Sequence, residues 1–534
     1  MRTTAAVGLL LALFGALPAA EPTANAITFE DVTEKAGLKE PLAGIMGHGG
    51  AWGDFDGDGK PDIFAGGFCD RPNAEYKPAS GPVASALLRN RGDGTFEQMK
   101  DTPATMFSRA SGAVFADLDN DGKPELYIAN NARAKTNKSD QPQAGAQTKR
   151  SVLLKNVGGK FVDIAKESGA CPDTLLSARN VMPLDYDNDG KLDLLVIEDK
   201  FIAKPRTTLF RNEGNLKFRD VTKEVGLPED LFGLGAAVAD LNGDSRPDFF
   251  VPHSNRLFLS TPDNKYREAV ELKDALGWKP LNGEDWPCGA HFADLNRDGR
   301  LDLVLSIHSV TARNRVYINE GLKDGIPQFR DVTKEVGLSD TVPVRCPHVE
   351  VQDFDNDGAP DIYMSAALLV DGKVTPLIYR NEGVKDGLPR FVPSFPVKNA
   401  NAYYPAGPSA DYDGDGRIDL LLINWFAGNH SRLLRNTSPE RKWLDVRVVG
   451  KTVNRECIGA TVAVYAAGKL GKPESLLGFQ EISTGYGYAS GQIPVAHFGL
   501  NDAATVDVRV TLPGGKATID KPGVRANQVL VVAE

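Results

Sequence analysis

The sequence predicts an all-β fold, a seven-bladed β-propeller with cation-binding loops and a small C-terminal β domain. Three observations predict it. One acidic nine-residue loop occurs seven times, each copy leads into an apolar strand-like run, and the same three further strand-like pieces follow in fixed order. Self-similarity at a fixed period marks a solenoid, propeller or array. Four strands per repeat select the propeller.

The chain opens "MRTTAAVGLLLALFGALPAAEPTANA". Arg2 precedes an apolar stretch, Ala5 to Leu17, that is too short to span a bilayer. Ala24-Asn25-Ala26 fits a small-x-small cleavage site, and a cut nearer Ala20 fits as well. Residues 1–26 therefore read as a secretory signal peptide, and the mature protein as secreted or periplasmic. No later stretch reaches the ~18 apolar residues of a membrane span.

After residue 26 comes a strand-and-turn piece, "ITFEDVTEKAGL" from Ile27, and then the first loop, "DFDGDGKPD". The loop recurs every 59.5 residues on average between Asp54 and Asp411. Its acidic or amide positions 1, 3, 5 and 9 are Asp54, Asp56, Asp58 and Asp62 in the first copy. In the second they are Asp117, Asp119, Asp121 and Glu125, and in the third Asp185, Asp187, Asp189 and Asp193. The fourth has Asp240, Asn242, Asp244 and Asp248, and the fifth Asp294, Asn296, Asp298 and Asp302. The last two have Asp353, Asp355, Asp357 and Asp361, then Asp411, Asp413, Asp415 and Asp419. Two like charges about 5 Å apart cost about 3 kcal/mol at an effective dielectric of 20, so such a loop needs a cation or open water. Hard cations such as Ca²⁺ take six to eight oxygens from carboxylates, amides and carbonyls. Gly at position 6, replaced once by Ser245, permits the sharp turn. An EF-hand needs a carboxylate at position 12. Here that position is Ala65, Ile128, Val196, Val251, Leu305, Met364 and Leu422, all apolar and all in β-rich runs. The loops thus enter strands, and up to seven Ca²⁺ are expected.

Each repeat continues with a piece such as "LLRN" at Leu87 or "IYRN" at Ile378, then an aromatic-led strand such as "FRDVTKEVGL" at Phe218. A small-residue run such as "GGAWG" leads into the next loop. The chain begins with a fourth-strand piece, and its last repeat lacks one. The N-terminal strand should therefore complete blade 7 and remove two exposed edges. The propeller is assigned to residues 27–438 and the β domain to residues 439–534.

Net charge is −10, which disfavours nucleic acid as a partner. The acidity is concentrated in the loops, which hold 26 of the 71 acidic residues. Five cysteines fit neither a disulfide scaffold nor a zinc pattern. Cys288 and Cys346 precede the loops of adjacent blades, which leaves a bridge between them open.

The loops resemble the FG-GAP or VCBS repeats of integrin α-subunit propellers. The tail resembles the ASPIC/UnbV domain in "NRECIGATVAVY" at Asn454, "GYGYASGQIPVAHFGL" at Gly485 and "VRVTLPGGK". Together they are similar to the cartilage acidic protein family. Cys457 stands where that family more often has Gly, and Thr511-Leu512-Pro513 replaces a more usual Trp-Pro. The resemblance implies a secreted calcium-binding propeller with a cell-adhesion or ligand-binding role.

In a four-stranded blade the metal loops are 1–2 turns, so the 2–3 and 4–1 connections lie on the other face. That face carries the longest insertions, 68–86 and 130–150. The 4–1 connections bring His48, Arg109, Arg179, Trp286, His291, Arg345, His348, Tyr403 and Tyr404 around one axis. The expected function is recognition of an extracellular protein or glycan there, without catalysis. The alternative is an extracytoplasmic hydrolase or lyase on the same face. "RGD" at Arg91–Asp93 sits in "NRGDGTF", which reads as a hairpin turn rather than an adhesion motif.

Overall fold

The computed structural model describes residues 27–69, 83–131, 150–199, 205–277, 286–309, 314–338, 346–370, 373–394, 396, 404–425 and 430–534. The expected signal peptide, most of both long insertions, and Arg345 and Tyr403 lie outside the described residues. Strands dominate, and the two α-helical pieces, Ala165–Ser168 and Lys273–Leu276, are single turns. Among the described residues no helix is long and apolar enough to cross a membrane.

Seven sheets form the propeller. Blades 2 to 6 are each four consecutive antiparallel strands, as in blade 2 with Ala110–Ala116, Glu125–Asn130, Val152–Val157 and Lys160–Asp163. Blade 7 is built from both ends of the ring. Its first three strands are Ser409–Ala410, Asp419–Leu422 and Arg432–Asn436, and its fourth is Phe29–Asp31. The register is Phe29↔Asn436 and Asp31↔Leu434. The reason is local. In "DVT" the Asp side chain accepts from the Thr amide and hydroxyl, and the Thr hydroxyl accepts from a third-strand amide. Asp220–Thr222 ties Leu209 in this way and Asp331–Thr333 ties Val316. The N-terminal Asp31–Thr33 ties Leu433.

Apolar side chains of adjacent blades interleave between the sheets, as with Met182, Leu195, Val238 and Phe249 between blades 3 and 4. The tail has its own core around Leu444, Val462, Phe498 and Val508, flanked by a three-stranded and a four-stranded sheet. Cys457 there has φ of +50°, in the left-handed region that favours glycine.

The tail is not detached from the ring. Its short strand Ser490–Gly491 pairs in parallel with Gly50–Ala51, the innermost strand of blade 1. The segment from Thr484 to Gln492 is a hairpin that enters the channel from the loop face and turns at Tyr488. It bonds inner strands around the whole ring: Gly50 N donates to Ala489 O, Asn180 Nδ2 to Gly485 O, and Gly487 N to Ala290 O. Tyr488 N donates to His348 Nδ1 and Gly407 N to Ser490 Oγ. The channel admits it where its wall is small, at Gly235, Ala236, Gly289 and Ala290. A Cβ on Gly235 would lie 2.1 Å from Gly487 O.

Candidate functional site: the acidic loops and the plugged channel

All seven loops share one backbone. Positions 4 and 6 have positive φ in every copy, from Gly57 at +76° and Gly59 at +87° to Gly414 at +73° and Gly416 at +82°. Position 4 is Gly, Asn or Arg297, and its conformation was missed in the sequence, where only position 6 stood out. Gly and Asn are the residues that tolerate this region best.

The carboxylates divide the work. Position 1 accepts from the amides of the turn, as Asp117 does from Asp121 N at 3.0 Å and Gly122 N at 2.8 Å. Position 9 clamps the loop to its blade. Asp193 accepts from Tyr186 N at 3.1 Å and from Asn212 N, in the third strand, at 2.7 Å. Burial pushes these acids up: Asp62 and Glu125 to about 8, Asp117 to about 6, Asp185 to about 7. Position 3 is left with an unmet oxygen. Oδ1 of Asp119, Asp187, Asn296, Asp355 and Asp413 is buried without a hydrogen-bond partner, and in blade 1 the orphan is Asp54 Oδ1. Such an atom costs about 1–3 kcal/mol unless something is bound to it. Three carboxylates converge within 4.8 Å in blades 1, 2, 3, 6 and 7. In blades 4 and 5 Asn242 and Asn296 bring an amide oxygen in place of one carboxylate. This donor set, all oxygen and acceptor-only at its centre, fits a hard cation.

A second set of residues, quoted in the "LLRN" pieces, acquires a role here. The Asn ending the third strand joins one blade to its neighbour's loop. Asn156 Nδ2 donates to Phe55 O and Pro124 O, Asn212 Nδ2 to Leu118 O and Leu192 O, and Asn436 Nδ2 to Phe354 O and Ile418 O. Blade 4 has Ser260 at this place. The basic residue just before the Asn stands over the acids: Arg211 reaches Asp187 at 2.8 Å and Arg380 reaches Asp355 at 2.8 Å and Asp357 at 2.6 Å.

The tail covers most of this face. Glu456 accepts from Asp117 N and Glu481 from Asp240 N, both at 2.9 Å. Arg441 meets Asp355 at 3.1 Å. His497 donates from Nε2 to Asn356 Oδ1 at 2.8 Å, while its Nδ1 meets Asp445 at 2.6 Å. Burial opposes a charge on that ring, but Asp445 beside it outweighs burial and raises its pKa.

Those of the residues expected to line a ligand pocket that are described separate into four groups. His291 and His348 face the plug. The His291 ring stacks on Tyr486 with centroids 3.8 Å apart, and His348 Nε2 meets Glu350 at 3.1 Å. His291 also borders Asp294, Asp353 and His497, on the loop side of the channel. Burial holds His291 down at about 3. Tyr404 is core, packed with Phe29, Tyr363 and Leu434. His48, Arg109 and Arg179 do come together, at the mouth opposite the loops. His48 meets Tyr488 Oη at 2.6 Å and packs on Phe68 and Trp425. Arg109 lies 4.3 Å over Phe68, and Arg179 pairs with Asp199 at 2.5 Å. All three are buried. Trp286 stacks on His308 at 5.2 Å and is half-buried. The reason for the difference is the hairpin plug, whose aromatic and amide groups claim the inward-facing polar side chains. Cys288 and Cys346 are both buried, and no disulfide joins them. Asp93 of the "RGD" accepts from Thr95 N and Oγ, as a hairpin turn does.

The chain matches the family model of FG-GAP-like repeats at residues 54–128, 185–251 and 294–364, and that of the ASPIC and UnbV domain at 450–534. It is 26% identical to human cartilage acidic protein 1 over 497 residues, which is 88% of this chain and 69% of that protein. It is 25% identical to integrin alpha pat-2 of Caenorhabditis elegans over 289 residues, 46% of this chain and 23% of that protein. Among solved structures, an Agrocybe aegerita lectin that recognises non-reducing terminal N-acetylglucosamine aligns at 18% identity. It covers 65% of this chain and 80% of its own with a TM-score of 0.38, too low to carry an argument. The chain is thus an assembly of FG-GAP-like repeats and an ASPIC and UnbV domain, homologous to cartilage acidic protein 1.

Proposed function

We propose that this protein is a secreted or periplasmic recognition protein, a propeller whose loops bind Ca²⁺ and whose exposed face binds a protein or glycan. The observation that carries the calcium reading is the repeated orphan: a buried, unpartnered oxygen of Asp or Asn in six of the seven loops, always at position 1 or 3. Bound Ca²⁺ would neutralise the converging carboxylates and give those oxygens a partner. Asp119, Asp187, Asp355 and Asp413 are the residues that would hold it most directly, with the position 1 and position 5 acids around them.

The recognition reading rests on which face is left open. The tail lies on the loop face, so the opposite face remains for a partner. There Phe107 is 47% and Leu176 38% exposed, in the connections leading into blades 2 and 3, and Trp286 stacks half-buried on His308 in blade 5. Aromatic anchors dominate binding energy at interfaces. The similarity to integrin alpha pat-2 and the lead sequence agree with an extracytoplasmic role. A glycan and peptide array, probed with and without Ca²⁺, tests the reading. Phe107→Ala and Trp286→Ala should each weaken the ligand found by about tenfold, or 1.4 kcal/mol. Parent-strength binding by both variants would place the ligand elsewhere.

A further inference from the structure

The tail does not hold every loop alike: among the described residues the loops of blades 1, 3, 5 and 7 share no hydrogen bond or ion pair with it, and blade 1 stands furthest open. The tail bonds the loops of blades 2, 4 and 6 directly, and Trp443 sits against Gly416 of blade 7. A cleft of about 360 Å³ lies between the tail and the loop of blade 1, with Asp54, Asp58 and Gly59 on one wall beside Asp117 of blade 2, and Arg447, Arg455 and Glu456 on the other.

Both walls carry unused valence. Residues 56–59 are exposed, and Asp54 Oδ1 is a buried acceptor without a donor. Across the cleft the guanidinium of Arg447 is exposed and makes no ion pair among the described residues, while its charge reaches both Asp54 and Glu456. The tail sheet continues past it with an apolar lip. Parallel pairing sets Arg447 beside Val531 and Asp445 beside Val529, and the two valines are 58% and 53% exposed.

A cation in the blade 1 loop would sit among Asp54, Asp56 and Asp58, whose carboxylate oxygens converge within 4.8 Å. Ca²⁺ takes six to eight oxygens, and a carboxylate in the cleft that Asp54, Asp58 and Arg447 line would add to that set. We propose that this cleft is a binding site for a carboxylate, shared between Arg447 and the cation of the blade 1 loop, with Val529 and Val531 covering the apolar part of the ligand. Without the cation the acidic wall repels such a ligand, so binding depends on Ca²⁺. This site is independent of the opposite face.

Calorimetric titration with trigalacturonate and with hexaglutamate tests it, with a neutral trisaccharide as control. At least one acidic probe should bind in Ca²⁺ and not in chelator, and the neutral sugar should not bind. Binding of the uronate alone identifies a saccharide ligand, and binding of the peptide alone an acidic polypeptide. Arg447→Ala should weaken binding by about tenfold, while Asp413→Asn in blade 7 leaves it unchanged. With Tb³⁺ in place of Ca²⁺, the probe should lengthen the luminescence lifetime as its carboxylate displaces water from the ion. Arg447 is exposed, and a matching melting curve shows that the variant folds. The proposal is overturned if neither probe binds, if binding persists in chelator, or if Arg447→Ala binds like the parent.

Discussion

The loops of blade 6 and blade 1 are nearly the same peptide, "DFDNDGAPD" and "DFDGDGKPD", yet they live in different surroundings. In blade 6, Asp355 and Asn356 are each 1% exposed. Arg380 and Arg441 pair with Asp355, and Asn356 donates to Gly416 O of blade 7 while it accepts from His497 of the tail. In blade 1, Gly57 at the same position has no side chain to reach a neighbour. Arg89 stands 3.9 Å from Asp56 and prefers Glu97 at 2.8 Å. A motif that defines an acidic loop therefore does not define its surroundings. The residue at position 4 and the cover above it separate a loop tied to its neighbours from one left open to the cleft.

The largest effect should come from erasing that cover. Removing residues 439–534 takes away the tail's hydrogen bonds to the ring, each about 1 kcal/mol, and empties the channel. The unfolding midpoint should fall further than in any other variant described here. Hydrogen exchange at Gly358 and Ala359, slow in the full chain, should become as fast as at Gly59 and Lys60. Equal rates in the full chain would break the comparison. Calcium removal comes next. A site filled at ten times its Kd adds about 1.4 kcal/mol, so seven give roughly 10 kcal/mol. Chelation should release the amides of blade 1 before those of blade 6, which retains Arg380, Arg441 and His497. Unchanged melting after verified metal removal would show that the loops hold no structural ion.

Single side chains sharpen the contrast. With chelator present, so that ions do not enter, Asp355→Ala removes the carboxylate that Arg380 and Arg441 share, leaving Arg380 to Asp357 and Arg441 to a backbone carbonyl, and should cost about 1–3 kcal/mol in urea unfolding. Asp56→Ala should cost less than about 1 kcal/mol. A last contrast concerns the joint between blades. Asn156→Ala leaves Phe55 O and Pro124 O without a donor and should cost about 1–3 kcal/mol. Ser260→Ala, in the blade that lacks the Asn, should stay within about 0.5 kcal/mol, because the Ser260 hydroxyl has no partner to lose.

Much of this was legible because it repeats. Seven loops, four strands per blade and the unpaired first strand follow from counting pieces, and local chemistry such as Asp31–Thr33 carries the count into three dimensions. The plug was not legible. "GYGYASG" has no periodicity, and its partners are distant: Tyr488 meets His348 across 140 residues and His48 across 440. His291 and His348 looked like ligand residues because their type was visible and their partner was not. Tyr404 was misplaced for a related reason, since a tyrosine beside an irregular connection reads as surface until the blade packed on it is known. Position 4 escaped notice because Gly, Asn and Arg share no chemistry, only the left-handed backbone that the loop imposes.

The hairpin in the channel also bears on when this molecule can be complete. Phe29 waits for Asn436, and Gly50 waits for Ser490. Neither pair forms until nearly the whole chain exists. Closing so long a loop costs little more than closing a short one, since each doubling of length adds about 0.6 kcal/mol. The delay is kinetic: contacts this remote in sequence form slowly. During synthesis blades 1 to 6 gather their own four strands in turn, while the first-made strand of blade 7 waits for its three partners, and the axis stays open until residues 484–492 arrive. An unfinished chain is thus a ring with a gap and an unfilled bore. That intermediate is what an export route or a chaperone would meet.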